Sequence, residues 1–222
     1  MLKIHQHRPL SKEAIDQVFR YRAWPPFKRV LWANPFKHRY VFPLEADGQN
    51  LIVKVYHHGS LHYRLAALLG WSHADRYYRH ATRLAAANVA VPGPIMLMKW
   101  GPRNLPHQTL FVMEYVDGRE MTELLAEIEQ SDERIKKVAS QVAGLIDGLS
   151  RARVSHRDLN VKNFLVSPDD TVTLIDLDSA SYHRSGGRTF ARKHRRDIQS
   201  FLTASRGAPK FSAAVASKLK DR

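Results

Sequence analysis

Val154-Ser155-His156-Arg157-Asp158-Leu159-Asn160-Val161-Lys162-Asn163, followed by Leu174-Ile175-Asp176-Leu177-Asp178, decides how this chain is read. The first segment is a His-Arg-Asp loop with an Asn five residues beyond the Asp, and the second closes an apolar run with an acid thirteen residues beyond that Asn. Such a set suits phosphoryl transfer. One carboxylate orients an attacking hydroxyl, while an amide oxygen and a second carboxylate hold Mg²⁺ against phosphates. Asp158 is therefore the expected catalytic residue. Asn163 and Asp176 are the expected metal ligands, oxygen donors of the kind a hard cation takes. A lone His-x-Asp says little, because both residues are common in turns; order, spacing and strand context together carry the reading. Asp176 follows Thr173-Leu174-Ile175, so a charged side chain ends a buried strand. That placement is costly unless compensated, and a bound cation removes the cost. Asp178 either shares metal duty or salt-bridges the basic segment that follows. His156 organises the loop by hydrogen bonding rather than doing chemistry. Lys162 either neutralises the transferred phosphoryl group or faces solvent.

Upstream of the loop, the spacing predicts a helix over 12–21 with Ser11 as its N-cap, then strands over 28–33, 39–45 and 50–56. Asp47-Gly48 between the last two is a hairpin signal. The third strand, Leu51-Ile52-Val53-Lys54-Val55-Tyr56, holds one lysine in an apolar run. Lys54 is either an edge-strand gatekeeper or a functional cation; its place on the third strand matches the lysine that touches nucleotide phosphates in kinases. A helix over 73–87 ends before Pro92-Gly93-Pro94, and strands follow near 95–100 and 109–116. Beyond Asp117-Gly118 the chain turns helical, over 120–129 and 132–152. Ile135, Val138, Val142, Leu145 and Leu149 recur at helical spacing and read as core. Short strands over 164–166 and 172–175 flank the turn Pro168-Asp169-Asp170. This order predicts an α+β, two-lobed, protein-kinase-like fold: a small antiparallel β-rich N-lobe over 1–116 and a helical C-lobe over 117–222. Glu114 and Val116 sit where a kinase hinge offers backbone groups to adenine. ATP and Mg²⁺ are the expected cofactors.

The 222 residues suffice to bury a substantial core. No apolar run approaches the length that spans a bilayer, and the N-terminus lacks a secretory apolar segment. The absence of cysteine excludes disulfides and thiolate chemistry, and the default expectation is cytoplasmic. Lys and Arg total 35 against 21 acids, a net charge of +14. That excess favours an anionic partner: nucleic acid, a phosphorylated substrate or an anionic leaflet. Basic residues crowd Arg184 to Arg196, and a second cluster runs through Lys28-Arg29 and Lys37-His38-Arg39. The twelve histidines form no zinc pattern.

His156-Arg157-Asp158-Leu159-Asn160-x-x-Asn163, Leu174-Ile175-Asp176-Leu177-Asp178 and Ser72-x-Ala74 leading to Leu84-x-Ala86-x-x-Val89-x-Val91-Pro92 resemble the lipopolysaccharide kinase family, which includes Kdo kinases and core heptose kinases of Gram-negative envelopes. The resemblance covers roughly residues 30 to 205, and the loop motif alone is shared with aminoglycoside and choline kinases. Asn160, where Ser/Thr protein kinases carry a lysine, and Asp178 favour the lipopolysaccharide branch. The family implies ATP-dependent phosphorylation of a heptose or Kdo hydroxyl on the lipopolysaccharide inner core. It also implies a peripheral location on the cytoplasmic face of the inner membrane. The expected partners are that sugar acceptor and an anionic membrane surface, with no specific nucleic acid.

Two departures from the pattern stand out. No Gly-x-Gly-x-x-Gly precedes Lys54, so Trp32-Ala33-Asn34-Pro35-Phe36-Lys37 must serve instead. No Glu occurs between Leu61 and Met113; the expected pairing position for Lys54 holds Tyr77, and Asp75 is the only acid in the stretch. Two other readings follow: a pseudokinase that binds nucleotide without transfer, and a small-molecule kinase of the aminoglycoside type. A nucleic-acid-binding protein rests on charge alone.

Overall fold

The strand that carries Lys54 lies inside a sheet, and the reason is its sequence: β-branched and aromatic residues fill both of its faces. In the computed structural model, which describes residues 2–21, 31–34, 39–102 and 105–220, the chain divides into two compact units. The first takes Met1–Thr82 with Gly93–Tyr115, the second Arg83–Pro92 with Val116–Arg222.

The first unit runs β1 (Leu2–Gln6), α1 (Lys12–Arg20), β2 (Trp32–Asn34), β3 (Arg39–Ala46), β4 (Gln49–His57), α2 (Leu61–Leu68), α3 (His73–Ala86), β5 (Pro94–Trp100) and β6 (Gln108–Glu114). Its six strands form one antiparallel sheet in the order β1-β5-β6-β4-β3-β2. β4 pairs with β3 on one side and β6 on the other, Lys54 facing Val41 and Phe111 in register. Lys54 is thus no edge-strand gatekeeper. Asp47 and Gly48 close the β3–β4 hairpin with φ of 51° and 66°, the double left-handed turn that matches strand twist. Asp47 also accepts from the Ser11 amide at 2.9 Å and its hydroxyl at 2.5 Å. Ser11 in turn caps α1 by accepting from the Ala14 amide. α1 lays Ala14 and Val18 onto Tyr40, Phe42 and Leu44 of the sheet, forming one core. From α3, Tyr77 packs on Phe111 with ring centroids 4.9 Å apart.

The sequence reading missed β1 and α2. β1 carries two histidine/lysine positions and no β-branched alternation, so pairing with β5 decides it. α2 has an apolar pattern that turns outward, as described below. The expected strand start at 28 and the nucleotide-loop substitute Pro35-Phe36-Lys37 lie outside the described residues, as do Lys28, Arg29 and His38.

The second unit runs β7 (Arg119–Glu120), α4 (Met121–Glu129), α5 (Asp132–Arg151), β8 (Val154–Ser155), a 3₁₀ turn (Val161–Asn163), β9 (Phe164–Val166), β10 (Val172–Leu174), β11 (Ser181–Tyr182), α6 (Arg188–Ala204) and α7 (Pro209–Lys220). α5 begins at a Ser131 cap that accepts from the Arg134 amide, and buries the expected stripe from Ile135 to Leu149. Gly148 of that stripe lies against Val89, where a Cβ would come within 2.6 Å of a Val89 methyl. This close approach, with the Leu174 amide donating to the Ala90 carbonyl at 2.9 Å, ties Arg83–Pro92 to the second unit. Phe164, Phe201 and Phe211 link β9, α6 and α7 through centroid distances of 5.2 and 6.4 Å. The Glu129 carboxylate accepts from the Lys210 and Phe211 amides, satisfying donors at the start of α7 that have no partner within the helix.

Candidate active site

The His-Arg-Asp loop is the connection from β8 to β9, and short pairings fix both of its ends. β8 pairs with β11, and β9 pairs with β10 and β7. Within the loop, Asn160 caps the 3₁₀ turn, its side-chain oxygen accepting from the Lys162 amide at 3.4 Å. Asn160 therefore shapes the turn that delivers Asn163. The Asn163 side chain is 4% exposed, and its Nδ2 donates to the Asp158 carbonyl at 2.6 Å. A carbonyl can only accept, so Oδ1 is the oxygen that Asn163 can offer to a cation. The Asn163 carbonyl accepts from the Ile175 amide at 2.8 Å, which joins the segment bearing Asp176 to the loop. Asp176 adopts a left-handed φ of 58°, a conformation that Asp tolerates better than most residues and that recurs at functional sites.

Three sequence-predicted residues thus sit on one tied segment: Asp158, Asn163 and Asp176. Their donor chemistry fits Mg²⁺, which takes one or two protein oxygens and completes its shell with phosphates and water. Among the described residues no group of three His, Asp or Glu side chains is placed to hold a metal alone. Asp158 is exposed, and Lys162 approaches it only loosely, Nζ to Oδ2 at 3.9 Å. Asp178 is half-buried in the turn before β11.

His156 is fully buried, and its Nε2 lies 3.3 Å from the Ile175 carbonyl. Because that carbonyl only accepts, Nε2 carries the proton. Burial lowers the His156 pKa, opposed by the Ile175 contact and then by the carboxylates of Asp197, Asp176 and Asp158. A neutral imidazole that braces the Asp176 segment is the organising role expected of it.

Asp197 is the residue that sequence reasoning missed. It is 4% exposed on α6, and its two oxygens accept from the His156 amide at 2.7 Å and the Arg157 amide at 2.8 Å. Arg157 has a φ of 67°, so the loop turns sharply where the carboxylate grips it. Burial raises the Asp197 pKa, and the two amide bonds oppose that rise. A signal was present in the sequence: Phe190, Asp197 and Phe201 are the buried positions of α6, and their spacing lies on one helical stripe. Along the sequence the basic residues around Asp197 are the more visible pattern. Arg188, Arg192, Arg195 and Arg196 are exposed.

In the first unit, Lys54 is half-buried and its Nζ lies 4.5 Å from the centroid of the Tyr77 ring, cation–π range. Tyr77 is thus the α3 residue facing Lys54. Asp75 is engaged elsewhere: its Oδ1 is 2.5 Å from Lys99 Nζ, and both side chains are 6% exposed. Asp75 Oδ2 accepts from the Ser72 amide and hydroxyl, while Ser72 Oγ accepts from the Asp75 amide. This reciprocal arrangement starts α3. Lys99 also donates to the Ala67 carbonyl at 2.6 Å. Glu114, ending β6, has its carboxylate held by Arg8 at 2.7 Å and the Gly93 amide at 3.2 Å. Its amide donates to the Gly93 carbonyl at 2.9 Å, so its own carbonyl, not its N–H or carboxylate, is what it could offer to a base. Val116 opens the second unit, half-buried.

A family model described as the lipopolysaccharide kinase (Kdo/WaaP) family matches residues 28–218. The chain is 29% identical over 130 residues to a 3-deoxy-D-manno-octulosonic acid kinase of Vibrio cholerae, a match covering 53% of this chain and 54% of the relative. It is 30% identical over 73 residues to a probable serine/threonine-protein kinase of Enterocytozoon bieneusi, covering 32% of this chain and 12% of that protein. Over 66 residues it is 32% identical to a serine/threonine-protein kinase of Caenorhabditis elegans, covering 30% of this chain and 13% of that protein. The chain thus spans about half the length of the first relative and a small part of the other two.

Proposed function

We propose, because this chain belongs to the lipopolysaccharide kinase (Kdo/WaaP) family, that it is an ATP-dependent sugar kinase acting on a hydroxyl of the lipopolysaccharide inner core, heptose or Kdo. The observation that carries the reading is the lock between Asn163, the Asp158 carbonyl and the Ile175 amide, which ties Asp158, Asn163 and the residue before Asp176 into a single braced segment. In this reading Asp158 accepts a hydrogen bond from the acceptor hydroxyl and takes its proton as the hydroxyl oxygen bonds to the γ-phosphorus of ATP and the bond from that phosphorus to the bridging oxygen breaks, releasing ADP. Asn163 Oδ1 and Asp176 would hold Mg²⁺, with Asp178 beside them, and the ion when bound neutralises charge on the phosphates. Lys54 binds nucleotide phosphates, Glu114 and Val116 offer backbone groups to the adenine, and Lys162 offsets charge on the transferred group. The exposed arginines of α6 suit an acceptor that already carries phosphates or carboxylates.

The test begins with purified protein, ATP and Mg²⁺. Asp158→Ala is expected to lower transfer by about 10²–10⁴-fold, with nucleotide-dependent thermal stabilisation retained. Unchanged turnover in that variant would remove Asp158 from its role. The sugar is identified by mass spectrometry of lipopolysaccharide from cells with and without the gene, where loss of one phosphate from heptose or Kdo is expected.

A second reading has its own observation. With Tyr77 facing Lys54 and Asp75 paired to Lys99, the phosphate-binding lysine has an aromatic face where active protein kinases place a glutamate. A pseudokinase would show stabilisation by ATP and no transfer to any acceptor.

A further inference from the structure

α2 is amphipathic the wrong way round for a helix of a water-soluble surface. Leu61, Leu65, Leu68 and the capping Leu69 are 60%, 43%, 46% and 57% exposed, while Ala67 on the opposite side is buried. At about 100° per residue the four leucines fall within one arc of the helix, directed outward. Trp71, at 64%, extends this exposed segment beyond the helix end. Single exposed apolar residues are ordinary; a contiguous group of this size marks a surface that something covers.

The backbone holds this display rigidly. Gly70 takes a φ of 78°, its amide donates to the Ala67 carbonyl at 3.3 Å, and the Trp71 amide donates to the Ala66 carbonyl at 2.7 Å. That is a Schellman closure of α2, which in most helices turns the residue after the glycine back onto the helix. Here the residue is an exposed tryptophan. Arg79 Nη1 donates to the Gly70 carbonyl at 2.6 Å, and Arg64 Nε to the His58 carbonyl at 3.0 Å, so two cations are fixed beside the apolar face. Residues 51–74 contain no acid, and the whole chain carries +14. α2 has 8 residues and cannot cross a bilayer, and among the described residues no helix is long and apolar enough to do so.

We propose that the outward face of α2 together with Trp71 is a docking surface for an anionic lipid bilayer. Leucines enter the acyl boundary, the tryptophan sits at headgroup level, and the fixed arginines meet anionic headgroups. The charge decides among occupants: a face rimmed by cations and free of acids complements an anionic lipid surface, whereas a second copy would bring the same cations against themselves. This deepens the acceptor reading above and rests on it for its biological sense, since a lipid-borne sugar is presented at a bilayer. The two are tested separately.

Vesicle co-sedimentation of the full chain provides the test, with phosphatidylcholine alone or mixed with phosphatidylglycerol. Binding is expected to be at least about tenfold tighter to the anionic vesicles. Leu65→Ser combined with Leu68→Ser is expected to lower that partition by about tenfold or more without moving the thermal melt. Trp71→Ala, at an even more exposed position, provides an independent variant with a smaller loss. Equal binding by parent and variants, or no preference for anionic vesicles, overturns the proposal. So does a parent dimer that the leucine variant splits while vesicle binding is unchanged. Vesicle binding by a chain that transfers no phosphate would leave this surface standing and remove the kinase reading; transfer without vesicle binding would do the reverse.

Discussion

Each unit of this protein buries an aspartate, and the two are put to different uses. In the first, Asp75 is enclosed with Lys99 and the Ser72 cap, so its charge is neutralised within the start of α3. In the second, Asp197 is enclosed with two backbone amides of the His-Arg-Asp loop, both of its oxygens accepting from them. Asp75 stabilises a helix terminus and leaves Lys54 facing an aromatic ring. Asp197 shapes the backbone on which the proposed base stands. Burial of an acid thus serves scaffold in one unit and site geometry in the other.

Asp197→Ala breaks that contrast most severely. It leaves the buried His156 amide and the part-buried Arg157 amide without an acceptor, at up to about 1–3 kcal/mol each, and frees a residue with positive φ to relax. Stability is expected to fall by about 4 kcal/mol and transfer by about a hundredfold or more. Asp197→Asn separates the effects: its amide offers one oxygen to two donors and turns an N–H toward the other. A variant that folds by denaturant titration yet transfers at the parental rate would show that Asp197 holds the fold and not the site.

The matching perturbation in the first unit is Asp75→Ala, which strands a buried lysine. The expected cost is about 3–4 kcal/mol. Replacing the pair together, Asp75→Leu with Lys99→Met, is expected to recover most of this loss, because a buried ion pair contributes little beyond what well-packed apolar residues supply. Neither change should shift the KM for ATP of the folded fraction. If Asp75→Ala raised that KM as strongly as Lys54→Ala, Asp75 would belong to the nucleotide site and the contrast with Asp197 would disappear.

This pair also shows what was legible in the sequence. Asp158, Asn163 and Asp176 are local: a few residues and one short hairpin separate them, so linear spacing fixes their order along one segment. Most strands of the first sheet, the long helix α5 and the Ser11 cap were legible for the same reason, since periodicity and capping act within a few residues. Asp197 is 40 residues from Arg157 and 41 from His156, and nothing in local pattern states that α6 returns beneath the loop. Tyr77 opposite Lys54 followed from helix register, but the pairing of Asp75 with Lys99 on β5 is a long-range fact of the sheet. β1 was missed because its partner strand, not its composition, makes it a strand.

pH sharpens the comparison, because one titrating group in each unit pulls in an opposite direction. His58, buried and 2.9 Å from Thr109 Oγ1, has its pKa lowered by burial from 6.5 to about 4. Its native form therefore resists protonation that the unfolded chain accepts. Its contribution is whole above about pH 6.5 and is lost as pH falls toward 4, about 3 kcal/mol in all. Asp197 has a raised pKa, so its contribution is largest in acid and declines as pH rises through its native value. Thermal melts of the parent should fall between neutral and acid pH, and His58→Gln should flatten that fall. An unchanged slope in His58→Gln would place the acid sensitivity elsewhere.

The smallest expected effect concerns Arg8. It joins the Glu114 carboxylate at 2.7 Å and Gln49 Oε1 at 2.6 Å, from a segment that lies before the family match at residue 28. The side chains are 40% and 46% exposed, so solvent screens the pair and Arg8→Ala should cost no more than about 1 kcal/mol. Its geometric consequence is more specific. Glu114 ends β6, and its carboxylate is also held by the Gly93 amide, where a Cβ would come within 2.4 Å of Oε2. With Arg8 removed, the Gly93 contact alone holds the side chain, and the backbone proposed to meet adenine stays in register with Leu51. The expected result is a KM for ATP changed by less than about threefold, with kcat unaltered, and a melt lowered by a few degrees at most. A larger rise in KM would make the N-terminal strand and helix part of nucleotide binding. The first unit would then hold its site by a surface arginine, as the second holds its own by a buried aspartate.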